Sequence, residues 1–233
     1  MAATLRLTSP EKEMNMTHVI AIGPFAADVA TVLQRRGVDD EPTLFAQGHG
    51  VVTSLLPRAD AYVLITSRHD SKLVAEVGDL VGKWGASFVP VVHETRWLRV
   101  GPLSLPGGTG ACAECFERRS IQHSTIGSAL SDLHAFYARD PVGPGGHLPS
   151  HVLTAAGLAQ WGLATLHSGD SGAHGAYRAV NVAKSQFIQG RTVGVHGCLR
   201  CYPLSESISR RDRSWRGLTD HLTVASTGSK KDM

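Results

Sequence analysis

Two CxxC pairs constrain this chain more than any other feature of its sequence. Cys112 and Cys115 form the first pair, Cys198 and Cys201 form the second, and together they are all the cysteines of the chain. A CxxC turn places two thiolates within bonding distance of one ion, and two such turns complete a tetrahedral shell of sulfur. Zn²⁺ suits that shell because it accepts tetrahedral geometry and soft ligands. The spacing therefore predicts a structural zinc site that joins two segments separated by 82 residues.

Other uses of the two pairs are redox-active dithiols, disulfides or an iron–sulfur cluster. Dithiols and disulfides are disfavoured because no signal peptide is visible and cytosolic thiols stay reduced. The cysteines also lack the clustered spacing of ferredoxins. Four sulfur ligands leave no position for water, so the ion is expected to stabilise the fold rather than to catalyse a reaction.

The composition is that of an ordinary globular protein. A chain of 233 residues can bury one core, or one core with a smaller satellite. The net charge of +3 is mild, and much of it lies in a short basic stretch at 209–216 without a nucleic-acid motif. No apolar run reaches the ~20 residues that a membrane span needs. The chain is therefore predicted to be cytoplasmic, with no nucleic acid and no membrane as partner.

Strands alternate with helices over the first hundred residues. Short apolar runs predict buried strands, and apolar residues at helical spacing predict helices between them. The predicted elements are strands at 17–23, 43–46, 59–66 and 85–92, helices at 24–37 and 70–82, and a hairpin-like pair at 93–105. This alternation predicts a parallel, three-layer α/β sheet. The first strand, His18–Ile22, is expected near the sheet centre, with Ala61–Thr66 and Ser87–Val91 beside it.

The second half of the chain carries the cysteines. It is predicted to contain a helix at 116–137, a Gly- and Pro-rich loop at 138–149, an apolar helix to His167 and a hairpin at 176–195. The predicted fold class is α/β, a truncated Rossmann-like parallel sheet with a zinc-stapled C-terminal lobe. The predicted division is a flexible tail at 1–16, a Rossmann-like region at 17–104, a zinc-binding lobe at 105–208 and a basic tail at 209–233.

The order of these parts resembles a known family. A strand–Gly–helix opening is followed by the strands ADAYVLIT and GASFVPVV, the segment GPLSLPGGTGACAECFERR, an apolar helix, a hairpin and a closing CxxC. This series is similar to the ThiF/MoeB-like branch of the ubiquitin-activating-enzyme superfamily. Within that branch it resembles the cyclodehydratase-associated proteins of thiazole/oxazole-modified microcin clusters, which partner YcaO enzymes. The resemblance covers Thr17 to Tyr202.

The resemblance implies where ATP would bind, and this sequence departs from the active pattern there. Active members use a Gly-rich turn after the first strand, but only Gly23 remains here, between Ala21 and Ala26. Where the family carries an Mg²⁺-binding Asp and a phosphate-binding Arg, this chain has Ser67 and Lys72. A hydroxyl lacks the anionic oxygen that Mg²⁺ prefers. Gly23 and Lys72 are thus the remaining candidates of a degenerate nucleotide site, no catalytic residue is predicted, and ATP is not expected as a cofactor.

Three functions are compatible with the sequence. The first is a non-catalytic scaffold in the biosynthesis of ribosomally made, azole-containing peptides, which presents a precursor peptide to a YcaO-type cyclodehydratase as a homodimer or hetero-complex. The second is an adenylating enzyme that activates a peptide or carrier C-terminus. The third is a zinc-stapled interaction protein outside peptide modification.

Histidine is frequent, with 12 residues. No pair has zincin spacing on a helix, and the four-residue spacing of His147 and His151 begins in a Gly–Pro loop. These histidines are therefore predicted to be surface or capping residues rather than ligands of a second metal.

Overall fold

The protein forms one seven-stranded sheet with helices on both faces. The computed structural model describes residues 16–48, 50–94, 96–108, 111–140, 146–184 and 186–201, without the side chain of Ser171. Of the predicted tails, only Met16 falls within this part of the chain. The strands are β1 (Thr17–Ile22), β2 (Thr43–Phe45), β3 (Ala61–Thr66), β4 (Ser87–His93), β5 (Trp97–Val100), β6 (Ala176–Asn181) and β7 (Gln186–Arg191). The helices are α1 (Pro24–Arg35), α2 (Ser71–Lys83), α3 (Ala113–His123), α4 (Gly127–Arg139) and α5 (Pro149–His167), with 3-10 turns at Thr53–Leu55 and Ser171–Ala173.

Local sequence signals explain where the first helices begin. Pro24 lies in the first turn of α1, where its missing N–H costs nothing, and Arg35 lies in the last turn. Asp70 is the N-cap of α2 and accepts a hydrogen bond from the backbone N–H of Leu73 at 3.0 Å. The predicted helices at 24–37 and 70–82 are therefore confirmed to within a few residues.

The sheet is mixed rather than parallel throughout. Its order is β2-β1-β3-β4-β5-β6-β7; the first four strands are parallel and the last three pair antiparallel. The expectation that β3 and β4 both lie beside β1 is wrong for β4, because β3 separates the two. The turn from β4 to β5 is too short for a crossover, so β5 must return antiparallel.

Two apolar layers cover the sheet. On one face α1 and α5 pack on β1, β3, β4 and β5, and this cluster includes Leu33, Val89 and Ala159. On the other face α2 packs on Ile20, Leu64 and their neighbours, and α3 lies against α2. Of the parallel strands, β1, β3 and β4 are buried on both faces, which explains their continuous apolar sequences. The predicted three-layer α/β arrangement is confirmed.

Two predicted elements differ in detail. The helix predicted at 116–137 is two helices, because α3 ends at His123 and α4 begins at Gly127. Of the hairpin-like pair predicted at 93–105, the first member, at 93–100, ends in β5, which pairs antiparallel with β4. The second member, at 101–105, forms a single antiparallel bridge, from Ser104 to Phe88, instead of a strand. The sheet also continues across the predicted boundary between 104 and 105, since β6 and β7 extend it beyond β5. Among the described helices, none combines the length and apolar character needed to cross a bilayer.

Candidate functional site

The four cysteines converge between the start of α3 and the segment that follows β7. Cys112 is the N-cap of α3 and Cys115 lies in its first turn, while Cys198 and Cys201 lie in a turn near the end of the described chain. The Sγ–Sγ distances are 3.7 Å for Cys112–Cys115, 3.8 Å for Cys112–Cys198, 3.3 Å for Cys115–Cys201 and 3.6 Å for Cys198–Cys201. Cys115 and Cys198 are fully buried.

These distances fit a tetrahedral metal site. A Zn–S bond of about 2.3 Å places the sulfur atoms of a regular tetrahedron about 3.8 Å apart. The observed separations of 3.3 to 3.8 Å lie close to this value. They are far above the ~2.05 Å of a disulfide, and all four cysteines are free thiols. The cluster could therefore hold a metal ion, and its sulfur donors suit zinc.

Backbone and arginine contacts fix the geometry around the sulfur atoms. The N–H of Val195 donates to Cys115 Sγ at 3.2 Å. Arg119 of α3 donates to the carbonyl oxygens of Val193 and Gly194 at 2.6 and 3.1 Å, which holds the segment after β7 against α3. Arg200 donates to Glu114 at 2.9 Å and also pairs with Asp79 of α2. The cysteine cluster thus joins α2, α3 and the chain that follows the sheet edge.

The crowded thiols share negative charge unevenly. The neighbouring Cys201 thiol lowers the pKa of Cys112 to about 5, although burial acts in the opposite direction. The same contact raises the pKa of Cys201 well above its ordinary value. A cation among the four sulfur atoms would relieve this competition, since metal ligation requires thiolates.

The nucleotide corner predicted from the resemblance is filled by the protein's own side chains. Gly23 precedes α1 with φ of 88°, and a Cβ there would lie 2.7 Å from Ser67 Oγ and 2.8 Å from Gln47 Oε1. Ser67 Oγ accepts the N–H of Ala26, one of the helix N-terminal donors that an anion would use, at 3.0 Å. The cavity lined by Gln47, Ser67 and their neighbours has a volume of about 10 Å³, whereas ligand pockets usually measure ~300–1,000 Å³.

The other predicted nucleotide-site residue, Lys72, lies at the start of α2. The Lys72 side chain is 79% exposed on the first turn of α2 and pairs with Glu76 at 3.9 Å. The structure therefore brings together the four predicted cysteines. That Gly23 and Lys72 bind a nucleotide stays a prediction.

A polar cluster that sequence reasoning missed lies at the carboxyl end of the parallel strands. His69 follows β3, Glu94 follows β4, and Glu117 and His134 belong to α3 and α4. They line a cavity of about 580 Å³ together with apolar residues such as Phe116. Ligand sites in α/β sheets commonly occupy this edge. No local spacing signals the cluster, because its members come from four separate elements.

Charge within this cluster is strongly coupled. Burial acts to lower the pKa of His69, but the carboxylates of Glu117 and Glu94 outweigh it and raise that pKa to about 9. Burial acts to raise the pKa of Glu117, but His134 and His69 hold it well below its usual range. The two carboxylates therefore favour the protonated, positively charged form of His69, and the two histidines favour the ionised form of Glu117.

Comparison with solved structures identifies the fold. The E. coli microcin synthetase McbBCD complex aligns with a TM-score of 0.58 at 12% identity, over 82% of this chain and 71% of that chain. E. coli MccB, solved with MccA, aligns with a TM-score of 0.54 at 14% identity, over 80% of this chain and 66% of that chain. The heterocyclase TruD gives 0.53 at 18% identity over 82% and 28%. The resemblance to ThiF/MoeB-like proteins is therefore confirmed for the fold.

This chain corresponds to only part of some of the proteins that share its fold. The chain spans only about a quarter of the length of the heterocyclase chains it matches, 28% and 26% in the two structures. No protein-family model and no curated protein matches the sequence.

Proposed function

We propose that this protein is a non-catalytic, ThiF-like partner subunit in the biosynthesis of azole-containing, ribosomally made peptides. In this role it presents a precursor peptide to a YcaO-type cyclodehydratase, which carries out the ATP-dependent chemistry. It acts in the cytoplasm, as a homodimer or within a hetero-complex. Support for the pathway comes from its fold neighbours, which include a heterocyclase solved with substrate and cofactor and a microcin synthetase complex.

The filled nucleotide corner carries the non-catalytic part of the proposal. An adenylating enzyme must place a nucleotide against the first helix, and MccB has been solved with ATP. Here Ser67 Oγ and Gln47 Oε1 lie within 3 Å of the place that a Cβ on Gly23 would take, and the adjoining cavity measures about 10 Å³. Phosphate chemistry depends on positioning and on charge stabilisation, whereas Lys72 is 79% exposed and pairs with Glu76.

The zinc site supports a structural role within the proposed subunit. Zn²⁺ bound by Cys112, Cys115, Cys198 and Cys201 would have four sulfur ligands and no exchangeable position. It would therefore hold the end of the sheet against α3 and α2 without taking part in a reaction. On this proposal, the lobe at 105–208 is the part that the metal stabilises, and the region at 17–104 supplies the parallel strands.

Reconstitution tests the proposed role directly. A precursor peptide is incubated with ATP and a candidate YcaO enzyme, with and without this protein, and the loss of water is followed by mass spectrometry. We expect water loss to depend on this protein and complex formation to be visible by light scattering. A protein that remains monomeric and ignores both precursor and YcaO enzyme would contradict the proposal and favour an interaction protein of another pathway.

ATP–pyrophosphate exchange separates the scaffold from the adenylating enzyme. We expect no exchange by this protein alone, and we expect Lys72→Ala to leave the reconstituted reaction unchanged because the side chain faces solvent. Robust exchange that disappears in Lys72→Ala would refute the scaffold proposal. Glu76→Ala, which removes the partner of Lys72 on the same helix face, is the matched control.

A further inference from the structure

Three potential ligand atoms meet in the polar cluster at the carboxyl end of β3. Glu117 Oε1 lies 3.3 Å from His69 Nε2 and 2.6 Å from His134 Nδ1. The two imidazole rings stack with their centroids 3.6 Å apart. All three atoms lie within 4.8 Å of one another, as they must to bind one ion. Glu117 lies two residues after Cys115 on α3, whereas His69 and His134 come from other parts of the chain.

The cluster is buried and its polar atoms are poorly satisfied. His69 is 4% exposed, and the side chains of Glu117 and His134 are 14% and 13% exposed. These groups pair by charge at 2.6 to 3.5 Å, but both ring nitrogens of His69, Nδ1 of His134 and Oε1 of Glu117 have no hydrogen-bond partner among the described residues. Buried polar atoms without partners are rare in folded proteins and indicate an additional group at the site.

The surroundings resemble the support that a metal-binding histidine requires. With Nε2 of His69 directed at Glu117, its Nδ1 lies 3.5 Å from Glu94 Oε1. Arg99 donates from Nε to the same carboxylate oxygen at 3.3 Å and thereby holds it. A carboxylate on the second ring nitrogen fixes the tautomer and orientation of a ligating histidine. His69 thus has Nε2 beside Glu117 and Nδ1 beside a carboxylate that Arg99 holds.

We propose that His69, Glu117 and His134 bind one divalent transition-metal ion, with zinc as the best-matched metal. Two imidazole nitrogens and one carboxylate oxygen suit Zn²⁺ and its first-row neighbours, whereas Mg²⁺ and Ca²⁺ prefer shells made of oxygen. The site goes beyond the proposed scaffold role and does not depend on it. It differs from the cysteine site because three protein ligands leave a position open, and all three side chains line the cavity of about 580 Å³.

Metal binding requires a small local adjustment. Ligand atoms that surround an ion at about 2.1 Å lie roughly 3.0–3.4 Å apart. The His69–Glu117 contact of 3.3 Å already meets this condition, but the His134–Glu117 contact of 2.6 Å must lengthen. The rings are also nearly parallel, at 13°, so one of them must tilt to aim its lone pair at the ion. The ring that moves can be that of His134, which lies on α4, a helix without fully buried residues.

Stepwise loading of the full chain with Zn²⁺ or Co²⁺ tests the proposal. We expect the reduced, metal-free protein to bind two equivalents. One cobalt ion should show the sulfur charge-transfer absorption of the cysteine site, and the other should show only ligand-field bands of nitrogen and oxygen donors. His134→Gln and Glu117→Gln should each weaken the second equivalent at least tenfold and keep the sulfur absorption, which also reports that the variant is folded. His123→Gln, in the same cavity, is the matched control and should bind two equivalents.

Several outcomes would overturn the proposal. One equivalent in the wild-type protein would mean that the cluster is an ion-paired network without a metal. Two equivalents that persist in His134→Gln and Glu117→Gln would place the second ion elsewhere. If both variants fail to fold, NMR of the wild-type cobalt protein decides: hyperfine-shifted exchangeable protons from two imidazoles support the site, and their absence at two equivalents refutes it.

Discussion

Replacing Cys198 by serine tests whether a metal at the cysteine cluster stabilises the fold. Cys198 is fully buried, and its sulfur lies 3.8 and 3.6 Å from those of Cys112 and Cys201. A metal at this site cross-links two segments that 82 residues separate. Closing a loop of about 80 residues restricts the unfolded chain by about 4.5 kcal/mol on the chain-entropy estimate. We therefore expect Cys198→Ser to lower the free energy of unfolding by up to about 4 kcal/mol.

Thermal denaturation with simultaneous zinc detection measures this effect. For a domain of this size, about 4 kcal/mol corresponds to a fall in Tm of roughly 8–16 °C. Zinc release on unfolding should fall from one equivalent at the cysteine site towards none, and treatment of the wild-type protein with a chelator should lower its Tm similarly.

Leu199→Ser is the matched control for this prediction. Leu199 lies in the same turn and is 67% exposed, so its replacement should leave both Tm and zinc content unchanged. The reasoning is refuted if chelated and zinc-loaded wild-type protein melt at the same temperature. It is also refuted if Cys198→Ser melts like Leu199→Ser.

Two further predictions concern the corner of α1 and a buried histidine. Gly23→Ala should destabilise the protein by about 2 kcal/mol or more, since its φ of 88° is unfavourable for alanine and the Cβ would meet Ser67. Gly37 has φ of 69° and no atom near the place of a Cβ, so in a urea titration Gly37→Ala should show only the smaller loss that comes from the unfavourable φ. His93 has its pKa lowered to about 4 by burial and by the charges of His151 and His147, although Ser67 and Glu94 act to raise it. The unfolded chain binds a proton at His93 more tightly than the folded protein does, so acid favours unfolding. The folded protein is therefore not penalised at His93 above about pH 6.5, and its free energy of unfolding decreases as the pH falls from 6.5 towards 4. Between pH 7 and 5 the wild-type protein should therefore lose about 1–2 kcal/mol more than His93→Phe, and equal losses would contradict this assignment.

Individual helices and strands were predictable because their signals are local. Apolar periodicity indicated β1, β3 and β4, and Asp70 marked the start of α2 through a hydrogen bond that spans three residues. The separation of α3 from α4 was not predicted. A Cβ on Gly127 would lie 2.6 Å from the carbonyl oxygen of Ile121, so this break depends on how the two helices approach each other.

The order of strands required the tertiary structure. The alternation of strands and helices in the sequence predicted parallel strands. Continuous apolar runs, however, carry no information about the order of the strands in the sheet. The three antiparallel strands and the position of β3 between β1 and β4 follow from the length of the connections and from the packing of both helical layers.

The two candidate metal sites also differ in how far the sequence alone could predict them. The sequence by itself determined the cysteine cluster, because each CxxC turn presents two sulfur atoms locally and only the meeting of two turns needs the fold. It could not determine the cluster of His69, Glu117 and His134, whose ligand atoms come from three elements with no shared spacing. Only the fold decided that these atoms converge. The packing of α3 and α4 near the end of β3 brings together side chains that lie as many as 65 residues apart in the sequence.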